Sequence, residues 1–163
     1  MGNGYTRLLR IEGIKSQALP KKLLKRDVDI PEKIQNRIKE GEIWIEVSLA
    51  EQVLYVWEGL NKIKAGYRVS TGMPGTPRRK SKATRKGIYK MYCLYKAYTM
   101  WGNNWWAYAV PHCMFFHGEF AIHAAYWHND FGTPVSHGCV NMTEMDAAEV
   151  YPLVKIGTTV WVY

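Results

Sequence analysis

The sequence contains no apolar run approaching the roughly 18 residues that a membrane-spanning helix requires. No charged-then-apolar N-terminal segment of the signal-peptide kind is visible. Internal repeats, low-complexity tracts and recognisable nucleic-acid-binding modules are also missing. These absences argue against a membrane-spanning protein, a repeat protein and a nucleic-acid-binding protein.

Cysteine is scarce, with three residues in the whole chain. An odd number argues against a disulfide framework and leaves at least one free thiol. Cys93 and Cys113 stand among apolar residues, where a cysteine usually serves as a small buried hydrophobic side chain. Cys139 has a different context and needs a separate explanation.

Acidic residues are few: the chain has 14 Asp and Glu and 22 Lys and Arg, which gives a formal net charge of +8. This balance favours acidic partners such as an anionic polymer, a membrane surface or nucleic acid, although a general role in solubility explains it equally well. Six basic residues fall in the loop-like stretch 78–86. This stretch could attract an anionic polymer or could simply be a solvated loop.

The chain of 163 residues, 47% hydrophobic and 22% charged, is typical of one globular domain. Strand-like alternation begins at Ile43, where one face of the strand is expected to be buried. Further strands are predicted at 53–57, 63–69, 88–95, 114–116, 119–123 and 158–163, with a hairpin turn at His117-Gly118 between 114–116 and 119–123. Thr143 has the pattern of a helix N-cap, and Met145 and Ala148 are expected on the inward face of that helix.

This pattern predicts a mainly β fold, a β-sandwich of mixed and antiparallel strands with one short helix after Cys139. Residues 1–41 are predicted to form an N-terminal arm or linker with a short helix that starts at Pro31. Residues 42–163 are predicted to form the domain itself. Between two of its strands, aromatic residues crowd around Gly102 in a segment interpreted as a loop, either a flap over a site or a packed cover.

The segment 120–142 brings together three histidines and a cysteine. A thiol attacks carbonyl groups as the thiolate, so a catalytic cysteine needs a base or cation nearby, and His123 and His137 are candidates. In an extended segment His137 and Cys139 would share a face. Gly138 would allow a close approach of the backbone, and a peptide N–H at or beside Cys139 could bind an oxyanion.

These residues resemble a known signature. Phe120-Ala121-Ile122-His123, then Asn129 to Gly132, then Ser136 to Asn141, are similar to the motif of the L,D-transpeptidase catalytic domain (YkuD-like) of bacterial cell-wall enzymes. The resemblance includes a Ser-Thr-Gly turn at 70–72. Three departures are visible: Ala124-Ala125 replaces the usual Gly-Thr, Thr84-Arg85-Lys86-Gly87 lacks a proline, and Asn141 stands where many relatives have Arg.

The resemblance implies that Cys139 is the nucleophile and His123 the proton donor and acceptor. It also implies supporting roles for other residues: His137 beside the thiol, Gly138 as an oxyanion backbone group, and Ser136, Asn141, Tyr126 and Trp127 in substrate binding. The implied reaction is 3→3 cross-linking of peptidoglycan stem peptides through a thioester, with release of D-Ala. No cofactor is implied. The implied location is extracytoplasmic, in the periplasm or cell wall, and the expected state is a monomer.

Three alternatives remain open. Water as the acceptor would make the enzyme an L,D-carboxypeptidase. His123, His128, His137 and Cys139 could instead bind a metal ion, although their spacing matches no common zinc framework. The domain could also be a non-catalytic wall-binding module.

Overall fold

A computed structural model of the chain describes residues 30–64, 66–78, 80–102 and 104–163. The described residues form two facing β-sheets, which confirms the predicted mainly β sandwich with a short helix after Cys139. The first sheet has the order β3-β2-β1-β10-β5, with β4 also paired to β2. Its strands are β1 Ile43–Ser48, β2 Val53–Glu58, β3 Asn61–Lys62, β4 Tyr67–Arg68, β5 Gly87–Lys90 and β10 Thr159–Val162.

The second sheet has the order β6-β7-β8-β9. Its strands are β6 Cys93–Gly102, β7 Trp105–His117, β8 Phe120–Ala124 and β9 Val140–Met142. The predicted hairpin around Gly118 joins β7 to β8, and β8 pairs with β9 in parallel. Helix α2 (Glu144–Val150) follows β9 and continues into a 3-10 turn at Tyr151–Leu153.

Both sheets contribute to the main hydrophobic core. Ile45 and Val47 of β1 pack in one cluster with Met114 of β7 and Ile122 of β8, and all four are fully buried. Burial of such side chains contributes about 25 cal/mol for each Å² of apolar surface removed from water. The sandwich is therefore held together by apolar contact between its facing sheets.

The prediction that β1 buries one face is wrong. Trp44 and Glu46, on its other face, are also fully buried. Helix α1 (Glu32–Gln35) covers that face with Ile34, which packs in a second cluster with Trp44 and neighbouring aromatic residues. The Glu46 carboxylate is satisfied there because Trp57 Nε1–H and Tyr163 O–H donate to it, at 2.7 and 2.6 Å.

Two predicted strands are divided in the structure. The segment 88–95 separates into β5 and β6, which belong to different sheets. Met91 N–H donates to Thr158 O on one side, and Tyr92 N–H donates to Phe115 O on the other, so the chain crosses between the sheets at this point. The segment 63–69 contributes only the two-residue strand β4, and β3 precedes it.

The inward face of α2 also differs from the prediction. Thr143 caps the helix as expected, its Oγ1 accepting the Asp146 N–H at 3.1 Å. Met145 and Ala148 are exposed, however, whereas Ala147 and Val150 are buried. Residues three apart lie on one helix face, and the position of the cap turns 147 and 150, rather than 145 and 148, toward the core.

The aromatic segment around Gly102 is a β-hairpin instead of an irregular loop. Trp101 pairs with Trp106 and Gly102 with Trp105 across β6 and β7. Aromatic residues favour such paired strand positions. No helix within the described part of the chain is long and apolar enough to cross a membrane.

Candidate active site

A cavity of about 640 Å³ lies between the β6–β7 hairpin and the segment that carries the motif. All but one of the residues predicted for the site line it: His123, Tyr126, Trp127, Ser136, His137, Cys139 and Asn141. The exception is Gly138, which lies behind the wall against the ring of Phe120.

The pairing of β8 with β9 brings His123 and Cys139 to the same wall. Ile122 is level with Val140 and His123 with Asn141 in this parallel register, so Cys139 is level with Ala121. Side chains alternate between the two faces of a sheet. His123, Asn141 and Cys139 therefore face the cavity, whereas Ile122 and Val140 face the main core.

The His123 imidazole is oriented by a backbone carbonyl. Its Nδ1 lies 2.7 Å from Ala124 O. Because a carbonyl oxygen only accepts, Nδ1 carries the proton and donates, which leaves the lone pair on Nε2. Burial lowers the pKa of His123 to about 4, against the opposing effect of the Ala124 carbonyl and with a smaller lowering contribution from His128. At neutral pH the ring is thus an uncharged base with its Nε2 available.

The Cys139 thiol is also uncharged at rest. The Ala121 N–H donates to its sulfur at 3.5 Å, and the S–H donates to Glu119 O at 3.7 Å. Burial raises the pKa of Cys139 to about 11; the Ala121 N–H opposes this rise, and the charge of Glu119 adds to it. The site therefore holds a neutral thiol and a neutral imidazole rather than a preformed ion pair.

Ser136 closes the turn that presents Cys139. Its Oγ donates to Cys139 O at 2.5 Å and accepts the Gly138 N–H at 3.1 Å. The Gly138 N–H is therefore occupied within the turn, whereas the N–H of Cys139 has no acceptor among the described residues. Gly138 has a φ of +133°, and a Cβ there would come within 2.4 Å of Phe120 Cε1, so the turn requires glycine.

The Ser-Thr-Gly segment holds the motif from the other side. Ser70 and Asn141 exchange two backbone hydrogen bonds, at 2.9 and 2.8 Å. The Ser136 N–H donates to Thr71 O at 3.0 Å. The Thr71 side chain and N–H are in turn held by the buried Gln52, at 2.7 and 2.8 Å. A turn distant in sequence thus sets the position of the reactive segment.

Aromatic residues form the mouth of the cavity. The His137 ring is exposed and lies edge-on to Trp105 of the hairpin, with ring centroids 5.6 Å apart. The Trp127 ring lies 5.8 Å from that of His123. Tyr126 O–H donates to Tyr108 O of β7 at 2.8 Å, which ties the hairpin to the motif segment.

Sequence reasoning missed three contributors to this wall. Ala121 and Glu119 act through backbone atoms, which leave no signal in side-chain identity. His128 was weighed only as a metal ligand, but its Nε2 lies 2.9 Å from the Asn141 amide. Among the described residues, no group of three or more His, Cys, Asp or Glu side chains is arranged to hold a metal ion.

Known proteins are similar to this chain in sequence or in fold. Putative L,D-transpeptidase YciB of Bacillus subtilis (strain 168) is 30% identical over 130 residues, which cover 70% of this chain and 62% of that protein. The crystal structure of an L,D-transpeptidase (Yku) from Stackebrandtia nassauensis has a TM-score of 0.62 at 26% identity, covering 78% of this chain and 59% of that one. An LD transpeptidase solved in complex with imipenem has a TM-score of 0.64 at 19% identity, covering 74% and 58%.

The chain thus spans less than two thirds of the length of these relatives. Within the chain, the family model of the L,D-transpeptidase catalytic domain (YkuD) matches residues 42–162, from the first strand of the sandwich to its last. The matched range includes both sheets and every residue of the cavity wall described above. On this match the chain belongs to the L,D-transpeptidase catalytic domain family.

Proposed function

We propose that this domain transfers acyl groups between peptidoglycan stem peptides through a thioester on Cys139, forming 3→3 cross-links. The observation that carries the proposal is the shared wall of one cavity, where a histidine with a free Nε2 lone pair and a cysteine thiol lie on the same face of adjacent strands. Family membership supports the reaction class.

In the first half-reaction the Cys139 sulfur attacks the carbonyl carbon of the L,D-peptide bond between the diamino acid and D-Ala. Because both groups are neutral at rest, His123 Nε2 takes the thiol proton as the S–C bond forms. The Cys139 N–H receives the oxyanion that develops on the carbonyl oxygen. The C–N bond then breaks, His123 returns the proton to the departing D-Ala amine, and the thioester remains.

In the second half-reaction the side-chain amine of another stem attacks the thioester. His123 Nε2 accepts a proton from that amine, the C–S bond breaks, and Cys139 is restored as a thiol. Water in place of the amine would make the same site an L,D-carboxypeptidase. The stem would lie against the surface formed by Asn141, Tyr126 and Trp127. Ser136 supports the turn that presents Cys139, and His137 supports the mouth of the cavity.

The proposed setting follows from the proposed substrate. Peptidoglycan lies outside the cytoplasmic membrane, so we place the enzyme in the periplasm or cell wall, acting as a monomer. The basic stretch 78–86 is proposed to favour approach to anionic wall polymers or to a membrane surface.

The test is product analysis on a defined muropeptide tetrapeptide. We expect release of D-Ala together with a 3→3 dimer when a second stem is present, detected by mass spectrometry. Imipenem, found bound to a structural relative, should acylate the enzyme with the adduct on the peptide that contains Cys139. Cys139→Ala should abolish both, whereas Cys113→Ala, which alters a fully buried thiol, should not.

Two results would contradict parts of the proposal. Release of a tripeptide without dimer at any acceptor concentration would identify a carboxypeptidase. Unchanged turnover in Cys139→Ala would remove the mechanism altogether.

A further inference from the structure

Thr84 connects two segments of the site without lining the cavity. Its side chain is 3% exposed. Its Oγ1 accepts the Gly72 N–H at 2.8 Å and donates to Gly138 O at 2.8 Å. A single buried hydroxyl therefore joins the Ser-Thr-Gly segment to the peptide that immediately precedes Cys139.

The second of these bonds determines which way a peptide plane faces. In a trans peptide the C=O of one residue and the N–H of the next point in opposite directions. Thr84 holds Gly138 O in the interior, where neither of the two residues lines the cavity. The Cys139 N–H therefore points away from Thr84, on a residue that does line the cavity.

The other candidate donor in this turn is not available. The Gly138 N–H donates to Ser136 Oγ at 3.1 Å. The Cys139 N–H, by contrast, has no recorded acceptor among residues 30–64, 66–78, 80–102 and 104–163. An oriented and unengaged N–H beside the nucleophile is the geometry that an oxyanion site needs.

The surroundings are shaped to admit the Thr84 hydroxyl. A Cβ on Gly72 would come within 2.6 Å of Thr84 N and 2.1 Å of Lys82 O, so only glycine permits this approach. Gly138 has a φ of +133°. Because glycine has no Cβ, its side chain does not restrict rotation of the Gly138–Cys139 peptide. An external anchor is the device that holds such a peptide in one orientation.

We propose that Thr84 is a positioning residue for catalysis: its hydroxyl holds the Gly138–Cys139 peptide so that the Cys139 N–H stabilises the oxyanion. This inference rests on the proposed acyl transfer at Cys139. It also accounts for the altered turn at 84–87, because the threonine that makes the bonds is retained although the proline after it is absent.

The test compares two reactions of the same sulfur. With p-nitrophenyl acetate, Cys139 attacks the ester carbonyl, an oxyanion forms, and the C–O bond breaks to release p-nitrophenolate. With iodoacetamide, the sulfur displaces iodide at a saturated carbon and no oxyanion forms. Thr84→Val preserves the shape of the side chain and removes both hydrogen bonds, whereas Thr84→Ser retains the hydroxyl.

Thr84→Val should slow the p-nitrophenolate burst by at least about tenfold, up to the roughly 10²- to 10³-fold cost of losing an oxyanion donor. Its iodoacetamide rate should stay within about twofold of wild type, because alkylation depends on thiolate formation rather than on an oxyanion. Thr84→Ser should restore most of the burst. Thr158→Val is the matched control, since Thr158 is equally buried and its Oγ1 accepts the Lys155 N–H at 2.9 Å in a distant turn.

Equal losses in both reactions would overturn the inference and assign Thr84 a purely structural role. A normal burst in Thr84→Val, or a wild-type protein without any burst dependent on Cys139, would also overturn it. Because the ester contains no wall peptide, these outcomes are independent of whether the enzyme accepts stem peptides. If the enzyme reacts with the ester as expected but does not act on a tetrapeptide, the result counts against the proposed function and leaves the role of Thr84 standing.

Discussion

The side-chain amide of Asn141 lies 2.9 Å from Nε2 of His128. His128 Nδ1 in turn accepts the Asp130 N–H at 3.1 Å. His128 therefore links the side chain of Asn141 to the backbone at Asp130. Asn141 lines the cavity next to His123, so this contact sets the position of a polar side chain in the cavity wall.

His128→Phe should weaken substrate binding without altering the thiol. The phenyl ring retains the packing on Phe131, whose ring centroid lies 5.0 Å from that of His128, but it cannot orient the amide. Loss of one neutral hydrogen bond costs about 1 kcal/mol, so kcat/KM for a tetrapeptide should fall roughly three- to tenfold. Asn141→Ala should give a similar loss.

Coupling between these two changes is the decisive measurement. If His128 acts through Asn141, the double variant should be little worse than either single variant. Fully additive losses in kcat/KM would mean that the two side chains act separately.

The reaction of Cys139 with iodoacetamide should increase with pH well beyond neutrality. Burial raises the pKa of the thiol to about 11, so the thiolate fraction grows tenfold per pH unit up to that value. Mass spectrometry of the Cys139 peptide, sampled between pH 7 and pH 10, measures the rate. A plateau below pH 8 would instead indicate a preformed thiolate–imidazolium pair.

Stability should decrease as the solution is acidified from pH 6.5 to pH 4. The pKa of His123 is lowered from 6.5 to about 4, so over this interval the unfolded chain binds a proton that the folded chain does not. The loss of stability amounts to about 3 kcal/mol; it is absent above pH 6.5 and complete below pH 4.

The matched variant for this prediction is His123→Gln, because the glutamine side chain does not titrate between pH 4 and pH 6.5. Urea unfolding at pH 7 and pH 4.5 should show a smaller loss for the variant than for wild type. Equal losses in the two proteins would show that His123 is not the group responsible.

Gly138→Ala should destabilise the domain and displace Cys139. The new methyl group would meet the Phe120 ring at 2.4 Å, and the φ of +133° is strained for any residue with a Cβ. We expect a loss of roughly 1–3 kcal/mol in the free energy of unfolding. Adding Phe120→Leu should recover only the part due to the clash. A single variant with wild-type stability and acylation would contradict this account of the turn.

Local patterns in the sequence predicted much of this protein. Strand β1, the hairpin around Gly118 and the Thr143 cap depend on residues within a few positions of one another, and each forms as predicted. The chemistry of a thiol nucleophile indicated a nearby base and left His123 and His137 as candidates, and the resemblance to the family motif assigned that role to His123 and the nucleophile to Cys139. The backbone carbonyl that orients the His123 ring is that of Ala124, so the unusual Ala-Ala sequence does not remove it.

Contacts between distant segments settled the rest. Burial of both faces of β1 depends on α1 and on aromatic residues from other strands, and the division of 88–95 depends on partners in two sheets. The Thr84 bridge to Gly138 spans 54 residues, and the Ala121 N–H reaches Cys139 only through the pairing of β8 with β9. A hydrogen bond across such a separation produces no periodicity or spacing that can be read along the chain, because it exists only after the sheets have packed.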